Sequence, residues 1–152
     1  MQWFTQRGHT VTGIDCNIEQ ARQRVPSAEL VCADIENGPW PLTVNGQVRT
    51  FGAVIVTNYL WRPLMTTILA SIKPGGVLLY ETFASGNEAV GRPARPDFLL
   101  MPGELLRSCQ SLDVVAYENG FLENPPRFVQ RIAAIRPDNG SPHPLKSTQC
   151  AL

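Results

Sequence analysis

The run Phe51-Gly-Ala-Val-Ile-Val-Thr57 constrains this chain more than any other feature. It is apolar throughout, rich in β-branched residues and short, so it reads as a strand and not a helix. It shows no polar alternation. The expectation is therefore a strand buried on both faces, as parallel sheets require. A second such strand, Val77-Leu-Leu-Tyr-Glu-Thr82, follows the turn Lys73-Pro-Gly-Gly76. Between them Arg62-Pro63 opens a helix, with Leu64, Ile68, Leu69 and Ile72 at helical spacing.

Upstream lie two shorter strands, Thr10-Val-Thr-Gly-Ile-Asp15 and Glu29-Leu-Val-Cys-Ala-Asp34, each ending in an acid. Asn17 caps a helix between them that reaches about Arg24, with Gln20 as the second half of a capping box. Pro26 closes it. Residues 2–7 read as the last turns of a helix stopped by Gly8. Asn37-Gly38 and Pro39-Trp-Pro41 mark a loop.

Residues 84–100 form a long loop rich in Gly, Pro and Arg, a length that often signals function. A short helix starts at Pro102. Strands over 112–117 and 128–135, joined by 118–127, close the order as an antiparallel pair. Residues 137–152 are polar and aperiodic and are expected to be a disordered tail. The domain is then 1–136. Strand and helix alternation predicts an α/β fold: a Rossmann-like three-layer sandwich, its sheet mostly parallel with a C-terminal antiparallel hairpin.

Composition removes several function classes. The 152 residues carry 13 Lys plus Arg against 13 Asp plus Glu, a formal charge of zero. That balance excludes a nucleic-acid binder working by general attraction. No run approaches the ~20 apolar residues of a membrane span. The start has no basic segment leading into an apolar one, so a cytoplasmic protein is expected. The four cysteines are scattered, none in a Cys-x-x-Cys pair, and there are two histidines, which argues against a metal site. Cys16, Cys32 and Cys109 read as small buried hydrophobes. Cys150 falls in the tail.

Ligands of open α/β sheets sit at the carboxyl ends of strands. Here those ends carry Asp15, Asp34, Asn58, Tyr59, Glu81 and Thr82. One strand-end acid suits the two hydroxyls of a ribose. A second, about 19 residues on, suits an exocyclic amine of adenine. Singly, each acid is more often a turn or cap residue; together they suit a nucleoside. Trp61, beside Asn58 and Tyr59, is the tryptophan best placed to face a ligand. Arg92 and Arg95 could meet an anionic substrate, although solvated loop arginines are commoner. Tyr80 and Glu81 are candidate proton acceptors against the commoner role of packing. No residue declares itself catalytic.

These segments, in order, resemble class I S-adenosylmethionine-dependent methyltransferases. Arg7-Gly-His-Thr-Val-Thr-Gly-Ile-Asp15 is similar to their second strand with its ribose-binding acid. Ala33-Asp34-Ile-Glu36 is similar to the adenine-binding strand end. Val56-Thr-Asn-Tyr-Leu-Trp-Arg-Pro63 and Lys73–Thr82 resemble the fourth and fifth strands. Pro96-Asp-Phe-Leu-Leu-Met-Pro-Gly-Glu-Leu105 is similar to the tellurite-resistance-type bacterial branch. The resemblance implies S-adenosylmethionine as cofactor and a small-molecule acceptor under loop 84–100. It implies Asp15 with Cys16 at the ribose, Asp34 with Ile35 at the adenine, and Asn58 with Tyr59 bordering the methyl donor.

Family members carry one more strand and a Gly-rich loop ahead of the segment where this sequence starts. The chain resembles the family without that first strand–helix unit, so the expectation is a truncated member. Two strand edges would then lack a partner, and a homodimer by strand exchange is one expected remedy. Two alternatives stay open: a non-catalytic fragment, and a nicotinamide-dinucleotide-binding Rossmann domain, in which Asp15 would also serve a ribose.

Overall fold

The computed structural model describes residues 1–138. The predicted tail lies outside the described residues from 139 on, as does Cys150. The chain forms two compact units, Met1–Val48 and the segment from Arg49 onward.

The first unit opens with α1 (Gln2–Thr5), which ends as the sequence suggests. Gly8 takes φ +79°, and the His9 N–H returns to the Phe4 carbonyl at 3.1 Å. β1 (Thr12–Asp15) pairs in parallel with β2 (Glu29–Cys32), from Thr12 opposite Glu29 to Asp15 opposite Cys32. α2 (Glu19–Arg24) connects them. The N-cap position falls on Ile18, which makes no side-chain cap bond, and not on Asn17 as expected; Asn17 stands one residue earlier, its Oδ1 accepting the Glu19 N–H at 3.2 Å. Gln20 makes no return bond, because it stands at the second helical position and not the third, where a capping box closes.

One element was not anticipated. β3 (Thr43–Val44) and β4 (Gln47–Val48) form a minimal hairpin. Its turn, Asn45-Gly46, has φ of 53° and 76°, both in the left-handed region that a two-residue hairpin demands. The cysteine expectation also needs correction. Cys109 is buried, but Cys16 and Cys32 are exposed, because both sit where the chain leaves the sheet.

The second unit is built on a four-stranded sheet in the order β5-β6-β8-β7. β5 (Phe51–Thr57) pairs in parallel with β6 (Ile72–Phe83). A short helical turn, Arg62–Leu64, leads into α3 (Met65–Ala70), which makes the crossover. The Lys73–Gly76 turn lies within β6 as a shift of register, from Phe51 opposite Ile72 to Ala53 opposite Val77. α4 (Glu104–Ser108) precedes the closing hairpin of β7 (Asp113–Glu123) and β8 (Pro126–Ile135). Those strands are longer than expected, since the Glu118–Glu123 stretch keeps pairing until Asn124-Pro125.

One face of this sheet holds the core: Ile72, Leu78, Tyr80, Leu105, Ile132 and Ala134 are buried together. Each fully buried Leu or Ile contributes roughly 1.5–3 kcal/mol. The other face differs from expectation. β5 turns Val54 and Val56 toward the core, but Ala53, Ile55 and Thr57 are exposed and Ile55 is 45% accessible. An apolar run reports that both faces can be buried. It does not report that something covers them.

Candidate functional site

The sequence-predicted residues fall into two groups, one in each unit. In the first, Asp15, Cys16, Asp34 and Ile35 come together at the carboxyl end of the β1–β2 pair. The Ala33 N–H donates to the Asp15 carbonyl at 3.1 Å, which ties the two strand exits to each other. Asp34 is the next residue.

The Asp15 carboxylate is exposed and accepts the Asn17 N–H at 2.9 Å and the Cys16 thiol at 3.5 Å, both on Oδ1. Oδ2 takes no donor from the described residues. Asp15 therefore shapes the turn into α2 and still offers one free oxygen outward. Cys16 has its thiol pKa raised, by its hydrogen bond to Asp15 and then by that carboxylate's charge. The Cys32 thiol reaches the Cys16 carbonyl at 3.3 Å and braces the same corner.

Asp34 is more fully engaged. Its Oδ1 accepts the N–H groups of Glu36 and Asn37 at 3.0 and 3.2 Å, and Oδ2 accepts the Asn37 amide at 2.8 Å. The Asn37 side chain, with the Glu36 N–H next, holds its carboxyl below the usual range. Asp34 is thus a charged turn-former at working pH, with spare lone pairs on Oδ2. Ile35 is a half-buried residue of that turn.

In the second unit, Asn58 and Tyr59 follow β5. Asn58 stands in the left-handed region at φ 53°, a conformation Asn tolerates better than most residues. Its N–H donates to the Glu81 carbonyl at 2.9 Å. The Tyr80 hydroxyl donates to the Tyr59 carbonyl at 2.9 Å, so this turn is pinned to the end of β6 twice. Burial raises the Tyr80 pKa strongly, and the phenol serves as a strut in place of a proton acceptor. Glu81 is ion-paired to Arg127 at 3.3 Å and to Arg131 at 2.7 Å, so both carboxylate oxygens are taken. Arg131 also reaches Glu118 at 3.2 Å.

The loop over 84–100 is fastened by residues the sequence reading did not single out. Arg62 grips Glu104 through Nε at 2.6 Å and Nη2 at 3.0 Å, and donates to the carbonyls of Asp97 and Leu99. Burial opposes the charge on Glu104, but the hydrogen bonds from Arg62 and the Met101 N–H prevail and hold its pKa down. Asn87, buried, donates to the Pro93 carbonyl at 2.9 Å and accepts the Phe128 N–H at 3.1 Å. Gln130, also buried, accepts the Leu105 N–H and donates to the Met101 carbonyl. Arg95 pairs with Asp97 in solvent. No sequence signal links residues this far apart.

The described residues hold no group of three or more His, Cys, Asp or Glu able to bind a metal ion, and no helix long and apolar enough to cross a membrane.

The fold is that of class I S-adenosylmethionine-dependent methyltransferases. Haemophilus influenzae TehB superposes with a TM-score of 0.63 at 16% identity, over 85% of this chain and 50% of its own. The N-methyltransferase NodS from Bradyrhizobium japonicum gives a TM-score of 0.63 at 15% identity, over 85% of this chain and 74% of its own. The [4+2]-cyclase SpnF gives 0.57 at 15%, over 86% and 67%. This chain thus spans half the length of TehB. No protein-family model and no curated protein matches the sequence. At such identities the likeness establishes the fold, and the same fold serves a cyclase, so chemistry must be argued from the site.

Proposed function

We propose that the chain is an S-adenosylmethionine-dependent methyltransferase acting on a small molecule. Asp15 takes the ribose hydroxyls through its free Oδ2. Asp34, with the Ile35 backbone beside it, takes the adenine amine. Asn58 and Tyr59 border the methyl donor, and the loop 84–100 covers the acceptor. The observation that carries this reading is the corner at β1–β2, where two acids leave adjacent parallel strands joined by the Ala33 N–H. NodS, which shares the fold, has been solved with S-adenosylhomocysteine.

When bound, the donor supplies a methyl group activated on a sulfonium. The chain's own task is to hold and align, since methyl transfer depends chiefly on the placement of the reacting atoms. That agrees with a site in which Tyr80 and Glu81 are both committed to structural bonds. The residues present fit the adenosine half of the donor. The methionine half calls for close backbone approach, which glycine permits, and this sequence has no Gly-x-Gly. We therefore expect weak donor binding by this chain, with affinity for adenosine close to that for S-adenosylhomocysteine. The second reading is a non-catalytic methyltransferase fragment.

Calorimetric titration tests the site. Both ligands should bind weakly, and Asp15→Ala should weaken both about 10- to 100-fold, the loss expected for charge-assisted hydrogen bonds. Binding indifferent to Asp15, or none at millimolar ligand, would refute the assignment. Methyl transfer to a panel of small nucleophiles then separates the two readings.

A further inference from the structure

Two thiols share one corner of the first unit. In the β1–β2 register Asp15 lies directly opposite Cys32, and Cys16 is the next residue. Parallel neighbours stand about 4.8 Å apart and each residue advances the chain about 3.3 Å, so the Cα atoms of Cys16 and Cys32 are about 5.8 Å apart, within the ~4.4–6.8 Å that a disulfide spans. Strict alternation would send the Cys16 side chain to the face opposite Cys32. The chain turns here instead. Asp15 Oδ1 accepts the Asn17 N–H at 2.9 Å, and the Cys16 thiol folds back to the same oxygen at 3.5 Å. The Cys32 thiol meets the Cys16 carbonyl at 3.3 Å. Each sulfur is thus held at the same strand exit by one weak bond, and both residues are exposed. Cys109 differs: it is buried, and burial pushes its thiol up to about 11.

We propose that Cys16 and Cys32 form a redox pair, which a peroxide closes into a disulfide across the exits of β1 and β2 and a thiol reductant reopens. The Cys32 thiolate attacks one peroxide oxygen. An S–O bond forms, the O–O bond breaks, and the departing hydroxide takes up a proton to become water. The Cys16 thiolate then attacks the Cys32 sulfur. The S–S bond forms, the S–O bond breaks, and the second hydroxide leaves and is protonated in turn. Two thiols and one hydrogen peroxide give one disulfide and two waters, the sulfurs losing two electrons to the peroxide. The order of the steps follows from the corner. Cys16 donates its thiol proton to Asp15, whose charge disfavours the thiolate. Cys32 is therefore oxidised first and Cys16 resolves it. The new bond closes a loop of about 17 residues around α2. It takes the sulfur donor away from Asp15 Oδ1 and leaves the Asn17 N–H in place. None of this depends on what the corner binds.

The test is mass spectrometry of the full chain, reduced, treated with a small excess of hydrogen peroxide, and digested without reductant. A peptide linking Cys16 to Cys32 should appear and dithiothreitol should remove it, while Cys109 stays a free thiol. Cys16→Ser removes the resolving thiol, so the sulfenic acid on Cys32 should persist and dimedone should trap several-fold more of it than in the parent. Cys32→Ser should leave Cys16 largely reduced under the same treatment. Both are substitutions of exposed side chains, so circular dichroism should match the parent. Absence of the 16–32 link, preferential linkage of either thiol to Cys109 or Cys150, or as much trapped sulfenic acid in the parent as in Cys16→Ser would each overturn the proposal.

Discussion

Replacing Gln130 by Leu tests how the loop and α4 are held to the sheet. The swap nearly conserves volume, so no large cavity forms, and the cost lies in three hydrogen bonds. Gln130 is 0% accessible. Its Oε1 accepts the Leu105 N–H at 3.0 Å and the Tyr117 hydroxyl at 3.1 Å, and its Nε2 donates to the Met101 carbonyl at 2.7 Å. Leu105 is fully buried, so its stranded N–H bears the whole desolvation penalty, roughly 1–3 kcal/mol. Tyr117 is half-buried and Met101 exposed, so both recover part of their loss from water. The expected sum is about 2–4 kcal/mol, a large share of a typical 5–15 kcal/mol. Urea unfolding with hydrogen exchange of the β6 and β8 amides reads this sheet alone. Tyr117→Phe, which strands no buried donor, should cost under ~1 kcal/mol. A Gln130→Leu protein within ~0.5 kcal/mol of the parent would refute the reasoning.

Three further outcomes are expected. Glu104 has its pKa depressed below 4.5, so its contribution to stability is present above that value and lost as pH falls through the folded-state pKa; Glu104→Gln should flatten the acid side of a urea-stability profile between pH 3 and 6, roughly the carboxylate range. Gly76→Ala should destabilise the β5–β6 pair by about 1–3 kcal/mol, because the new Cβ would meet the carbonyls of Lys73 at 2.8 Å and Gly52 at 3.0 Å, which cannot swing aside; thermal unfolding checks it. Asp15→Asn should speed alkylation of Cys16 at mildly alkaline pH, since Asp15 is what raises that thiol's pKa, and an unchanged rate by mass spectrometry would contradict the corner geometry.

Local features were legible in the sequence. The strand at Phe51–Thr57, the stop at Gly8 and the acids at two strand ends follow from chemistry within a few residues. The Asn45-Gly46 hairpin carried its signal too, but the flanking strands are two residues each, too short to show alternation. Cys16 and Cys32 were misplaced because burial was read from residue type, whereas their position at strand exits decides it. The exposure of Ile55 depends on which elements cover a sheet face, a property of the assembled chain. The clamp of Arg62 on Glu104 joins residues 42 apart, and nothing local distinguishes either from an ordinary surface charge.

The buried amides of Asn87 and Gln130 bear on how such a sequence drifts over time. Leu, Ile and Val in the core can trade places at modest cost, so apolar positions lose their spelling while the shape survives. An interior amide bonded on both its oxygen and its nitrogen has no such substitutes, because each alternative strands a partner. Kinship for this chain should therefore be sought less in its hydrophobic runs than in an Asn and a Gln kept together, one at the start of the loop and the other in the strand beneath it.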